Sequence, residues 1–110
     1  LVKGATFKEN VSDIRNSKVA DVVKALQSYY VNVDVEDPYA DSAELKHEYG
    51  FELAPSTGND YDAVIITVPH NEYKDLDDAH FVSITKPHGM IADLKGIYRN
   101  KIYNRTYWSL

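Results

Sequence analysis

Three basic side chains carry the chemistry this sequence has to offer: Lys8, Arg15 and Lys95. Two of them stand in one stretch, Gly4-Ala5-Thr6-Phe7-Lys8-Glu9-Asn10-Val11-Ser12-Asp13-Ile14-Arg15-Asn16-Ser17-Lys18-Val19, between a short apolar strand and an amphipathic helix. Arginine suits a bidentate grip on a phosphate-like anion, and lysine acts as a point charge. A helix starting just behind them adds unpaired N–H groups and a partial positive charge. The plain alternative is a solvated loop with a capping residue and one surface salt bridge.

Other chemistries find little support. Cysteine is absent, which excludes disulfides, cysteine-ligated metal and a cysteine nucleophile within the chain. The serines form no nucleophile elbow, and the four histidines show no metal spacing. No catalytic residue and no metal ligand is therefore assigned. Formal net charge is −5, which argues against a general binder of nucleic acid or anionic membranes. No apolar run reaches membrane-spanning length, and no signal-peptide pattern is present. The lack of disulfides fits a cytoplasmic protein.

The elements that must position the basic residues follow from periodicity. At 110 residues the chain holds one domain, residues 1–110, with one core. Residues 1–7 read as a first strand, with Gly4 either a packing glycine or a point of close approach. Asn16 or Ser17 is the expected N-cap of a helix whose apolar stripe is Val19, Val22, Val23, Leu26 and Tyr30. Val31 to Glu36 alternates as a strand and ends at Asp37-Pro38. Asp37 can be a ribose-binding acid or a turn former, and the missing G-x-G-x-x-G favours the turn.

Asp41 or Ser42 caps a helix to Tyr49, with Glu44 completing a capping box and Gly50 as the stop. Phe51-Glu52-Leu53 reads as a short strand near an edge, and Pro55 to Asp60 as a loop. Ala63 to Val68 is the strongest strand, a β-branched run expected at the centre of a parallel sheet. Pro69-His70-Asn71-Glu72 follows at its end, where His70 either touches a ligand or is a hydrogen-bonded loop residue. Residues 72–84 read as a helix whose acids Asp75, Asp77 and Asp78 suit its start better than a metal. Lys86 to Gly89 reads as a turn and Met90 to Asp93 as the last strand, with Lys95 in the loop beyond. The tail from Ile97, rich in tyrosine, reads as a helix or an irregular cover.

Strands alternating with helices predict an α/β, Rossmann-like three-layer domain with a mostly parallel sheet. Right-handed crossovers then put Lys8, Arg15 and Lys95 along one edge, as a basic cluster on an acidic body.

The motifs Thr6-Phe7-Lys8-Glu9-Asn10 and Asp13-Ile14-Arg15-Asn16-Ser17-Lys18 resemble the opening of the C-terminal, UDP-binding domain of the UDP-glucose/GDP-mannose dehydrogenase family. Asp62 to Val68 and Tyr73-Lys74-Asp75-Leu76 extend the resemblance, which is closest to the branch acting on UDP-N-acetylhexosamines. Pro69-His70 departs from the Glu-Trp of other branches.

The resemblance implies NAD-dependent oxidation of UDP-sugar C6 to a uronic acid, in polysaccharide precursor synthesis. It implies that Phe7, Lys8 and Lys95 contact the UDP-sugar, with Arg99 a weaker candidate than Lys95. Arg15 is implied to reach toward NAD across a cleft. Glu9, Asn10 and Asp13 are implied to shape the loop, with Arg15 or Lys18 as partner to Asp13. The hydride chemistry and the catalytic cysteine belong to an N-terminal NAD-binding domain and its surroundings. A central helical segment usually makes the homodimer. The chain lacks an initiator methionine and opens in mid-strand, so it reads as a fragment of a longer dehydrogenase, unable to catalyse alone. The alternative is a stand-alone flavodoxin-like interaction or regulatory domain without nucleotide. A receiver domain fits less well, because the first strand ends in Thr-Phe-Lys and not in an acidic cluster.

Overall fold

The computed structural model describes residues 1–110. Five strands form one sheet: β1 (Val2–Lys3), β2 (Val35–Glu36), β3 (Tyr61–Ile66), β4 (Thr85–Asp93) and β5 (Thr106–Ser109). Their order is β2-β1-β3-β4-β5 and every pairing is parallel. Three helices connect them: α1 (Val19–Ser28), α2 (Ser42–Tyr49) and α3 (Asp78–Ile84), with a 3-10 turn at Asn71–Tyr73.

Alternation along the strands divides the apolar side chains between two cores. Val2, Val35 and Val68 join Val19, Ala20 and Val23 of α1 and Leu45 of α2 on one side. Leu1, Val64, Ile66 and Ile91 join Tyr73, Phe81, Tyr98 and Ile102 on the other. The sheet is thus covered on both faces, giving the expected three layers.

Local chemistry explains several boundaries. The Asp41 carboxylate accepts the Glu44 N–H at 3.0 Å, and Gly50 ends α2 at φ 83°. Asp77 caps α3 by accepting the His80 N–H at 2.9 Å. Asp78 accepts the Tyr103 and Asn104 amides at 2.9 and 3.1 Å, which ties the tail to α3.

Other boundaries differ from the sequence expectation. Lys18, not Asn16 or Ser17, occupies the N-cap of α1, and no side chain caps that helix. Asn16 takes φ 60° in the turn before it. Tyr30 leaves the apolar stripe: α1 ends at Ser28, and Tyr30 sits at φ 61° and is 97% exposed. β2 is confined to Val35–Glu36 because β1 offers only Val2–Lys3 to pair with it.

Phe51–Leu53 is not a strand. A single bond beyond it, Ala54 N–H to Val35 carbonyl at 2.9 Å, runs along the β2 edge. The expected helix over residues 72–84 is split into the 3-10 turn and α3. Lys86–Gly89 lies inside β4, looped out between the pairings Tyr61–Thr85 and Ala63–Met90. The tail supplies β5, a fifth strand in register with β4 from Met90–Thr106 to Asp93–Ser109.

Candidate functional site

In a sheet of order 2-1-3-4-5, the connections from the first and third strands leave in opposite directions and open a crevice at the strands' carboxyl ends. Here that crevice is a cleft of about 300 Å³. Its lining includes Thr6, Phe7, Lys8 and Glu9 after β1, and Thr67, Val68 and Pro69 after β3. Lys95 comes from beyond β4, and Asn16, Lys18 and Val19 from the start of α1. Phe7, Lys8 and Lys95 therefore share one cleft although Lys95 is distant in sequence.

The closeness of β1 and β3 at this end rests on Gly4. Its φ is 110°, and a Cβ there would lie 2.7 Å from Val68 Cβ and 2.8 Å from Val68 N. Only glycine accepts both the conformation and the contact.

The cleft's electrostatics are cationic. Lys8, Lys18 and Lys95 are exposed, and none forms an ion pair with the chain's own carboxylates. The first turn of α1 has no side-chain acceptor for its N–H groups. A lysine at a helix N-cap also opposes the helix dipole, a cost that a bound anion relieves. Lys18 was legible only as a partner for Asp13; its place on the cleft depends on the turn at Asn16.

Arg15 is not part of the lining. Its Nε and Nη2 donate to the two oxygens of Asp13, each at 3.0 Å, and the side chain is 82% exposed. The Arg15 hydrogen bonds, side chain first and then backbone, hold the Asp13 carboxyl below its usual range. The pair braces the loop from outside, together with the Phe7 N–H bond to Asp13 O at 2.7 Å. Tyr49 of α2 adds a hydroxyl bond to Ile14 O at 2.5 Å.

Lys95 is carried by a loop built on Asp93, which is fully buried. Its carboxylate accepts the Gly96 N–H at 2.9 Å, the Tyr98 N–H at 2.7 Å and the Tyr107 hydroxyl at 2.6 Å. Arg99 turns away to the tail, bonding Ser109 Oγ at 3.2 Å and Leu110 O at 2.5 Å.

His70 is fully buried and lies beneath the Thr6–Asn10 loop. The Asn10 N–H donates to its Nδ1 at 2.9 Å. Since an amide can only donate, Nδ1 is the unprotonated nitrogen, and Nε2–H donates to Asp37 Oδ2 at 2.8 Å. Asp37 is buried too and also accepts the amides of Ala5, Tyr39 and Ala40 at 2.7, 2.7 and 3.0 Å. It is a turn former at the end of β2, fully committed within the fold.

A larger cleft of about 590 Å³ lies at the other end of the strands, lined in part by Leu26, Val31, Val33, Asp34, Asp60 and Asp62. Its acidic side chains are Asp34, Asp60 and Asp62 and no basic side chain lines it, so it disfavours anions.

The family model described as the UDP binding domain of the UDP-glucose/GDP-mannose dehydrogenase family matches residues 1–100. The chain is 40% identical over 97 residues to a UDP-N-acetyl-D-glucosamine 6-dehydrogenase of Pseudomonas aeruginosa, covering 86% of this chain and 23% of the relative. It is 36% identical over 112 residues to Protein CapL of Staphylococcus aureus, covering 99% and 26%. Among solved structures, the UDP-N-acetyl-mannosamine dehydrogenase Cap5O from S. aureus superposes with a TM-score of 0.75 at 27% identity, covering 98% of this chain and 25% of that one. A UDP-D-ManNAc dehydrogenase from Pyrococcus horikoshii, at 20% identity, shares the fold with a TM-score of 0.77. The chain spans about a quarter of the length of these relatives.

Proposed function

The chain belongs to the UDP-glucose/GDP-mannose dehydrogenase family, through its UDP-binding domain, and on that premise we propose that the cleft behind β1 and β3 receives the diphosphate of a UDP-sugar. The observation that carries this reading is the meeting of Lys8, Lys18 and Lys95, all without ion pairs, at an uncapped helix start on a chain of net charge −5. Two phosphates balance the three lysines, which outnumber the single carboxylate of the lining, Glu9. Lys8 and Lys95 serve as the main phosphate or sugar contacts. Phe7, 54% exposed at the rim, offers an apolar face to the rest of the nucleotide.

The sugar is a UDP-N-acetylhexosamine or UDP-glucose, and the reaction of the longer protein is oxidation of C6 to the uronic acid. NAD supplies the hydride acceptor and is held mainly by an N-terminal domain. Arg15 suits a part at that boundary: it is exposed, and its Nη1 has no partner within the chain. A chain without cysteine serves here as the binding half of the site, beside NAD-binding and central helical domains of a cytoplasmic homodimer. No helix is long and apolar enough to cross a membrane. The alternative of a flavodoxin-like domain without nucleotide draws on the strand order alone and leaves the lysine cluster unexplained.

The test is a titration of UDP followed by amide shifts of this chain. Shifts centred on Phe7, Lys8 and Lys95, and weakened by Lys8→Ala, are expected. Shifts absent up to millimolar UDP, or spread over the acidic cleft at the opposite end, overturn the reading.

A further inference from the structure

His70 is buried outside the cleft lining, and the reading above gives it no part. We propose that His70 is the positioning residue of the nucleotide-binding loop, holding Phe7 and Lys8 in place through its Nδ1. The inference rests on the cleft being the UDP site.

Both ends of the loop meet on this one ring. At the far end, the Asn10 N–H donates to Nδ1 at 2.9 Å, and Asn10 Oδ1 accepts the Asn71 N–H at 2.8 Å. At the near end, Thr6 Oγ1 lies 3.3 Å from Nε2 while its hydroxyl donates to the Lys8 carbonyl at 2.9 Å. The ring is itself fixed by Asp37 at 2.8 Å and by Tyr39 and Tyr73, whose centroids lie 4.7 and 5.4 Å away.

The residue type supports a role beyond filling space. Burying an imidazole costs stability unless its nitrogens find partners, whereas an apolar side chain fills the same volume without that demand. One of the two partners is the backbone of a solvent-exposed loop residue, Asn10, which water could have satisfied. The bond therefore does more for the loop's conformation than for the core. Asn10 adopts φ 62°, a left-handed conformation that asparagine enters more readily than most residues, and the paired bonds through its N–H and Oδ1 hold it there.

Two substitutions separate the nitrogens. In His70→Asn the amide oxygen replaces Nδ1 as acceptor for Asn10, and the link to Asp37 is lost. In His70→Gln the amide nitrogen replaces Nε2 as donor to Asp37, and the loop loses its acceptor. Amide exchange at Phe7–Asn10, UDP titration and thermal unfolding would be measured on the wild type and both variants. His70→Asn is expected to keep loop protection and to bind UDP within about twofold of wild type. His70→Gln is expected to lose protection at Asn10 and to bind about tenfold more weakly.

Wild-type UDP affinity in His70→Gln overturns the proposal, as does an equal loss in both variants that tracks their melting. Should a variant fail to fold, the wild-type imidazole ¹⁵N spectrum decides: a proton on Nδ1 overturns the proposal, and one on Nε2 supports it. Failure of the wild type to bind UDP overturns the reading of the cleft, and loop exchange in the variants still decides whether His70 holds the loop.

Discussion

Tyr107 on the edge strand β5 donates its hydroxyl to Asp93 at 2.6 Å, and Asp93 in turn holds the loop that carries Lys95. The aromatic tail is thereby coupled to the cleft. Burial, and then the bond to Asp93, raise the Tyr107 phenol to about 12. Tyr98 and Tyr73 are raised further, by burial first and then by neighbouring carboxylates, Asp93 for Tyr98 and Glu36 for Tyr73.

These tyrosines predict an alkaline limit. Above pH 10 the unfolded chain loses phenolic protons that the folded chain keeps. The unfolded state then binds fewer protons, and stability falls as pH rises. For the buried pair Tyr73 and Tyr98 the slope is about 0.7 kcal/mol per pH unit each at pH 10 and approaches about 1.4 above pH 11. Urea unfolding at pH 9, 10 and 11 checks this, and Tyr98→Phe should flatten the fall. A stability constant between pH 10 and 11 contradicts it.

Gly4→Ala should destabilise the chain by about 2–4 kcal/mol, from its φ and its contact with Val68. The melting temperature should drop by roughly 10–20 °C. Gly58→Ala is the control, since a Cβ there meets only the Tyr61 side chain, its hydroxyl oxygen at 3.8 Å. Equal melting of the two variants would show that the strands do not need glycine at this contact.

Lys8→Ala and Lys95→Ala should each weaken UDP about tenfold at low salt, with smaller losses at 0.5 M salt where exposed charges are screened. Stability should stay within about 0.5 kcal/mol, because neither lysine is ion-paired. Lys86→Ala, which removes a lysine 3.3 Å from Asp62, should not change binding. Calorimetry at two salt concentrations distinguishes these cases. Equal loss in Lys86→Ala would point to diffuse attraction without a site.

Arg15→Ala should leave UDP affinity within about twofold, since its guanidinium faces Asp13 outside the cleft. In a longer dehydrogenase carrying this domain, the same change should raise the KM for NAD and leave that for the UDP-sugar near its original value. A larger effect on the sugar would move Arg15 into the cleft.

The parts of the fold legible in the sequence are those decided locally. The apolar run over Ala63–Val68 located the central strand, which runs from Tyr61 to Ile66 and leaves Thr67 and Val68 in the cleft loop, and Asp41 with Gly50 marked both ends of α2. The basic loop could be placed at a strand end because its strand and helix are adjacent in sequence. β5 was hidden because Thr106–Ser109 is a half-exposed edge with no apolar alternation. Lys86–Gly89 carries turn residues and does loop out, yet the strand resumes its pairing with β3 on either side. The His70 network was beyond reach for a different reason. A histidine after a strand says nothing of Asp37 or Asn10, which meet it only when β1, β2 and β3 lie side by side.

The all-parallel order also governs when the cleft comes into being. No neighbouring strands are joined by a hairpin. β1 pairs with β2 through Val2 and Val35, and gains its second neighbour only when Val2 meets Ile65. Such distant pairings form slowly, after the long intervening loops have closed. During translation Lys8 leaves the ribosome well before Lys95, and the cleft lacks Lys95 until β4 has been made. A nascent chain stalled short of β4 thus exposes a bare basic loop. The three lysines of the cleft therefore come together only after β4 and the loop beyond it have been made.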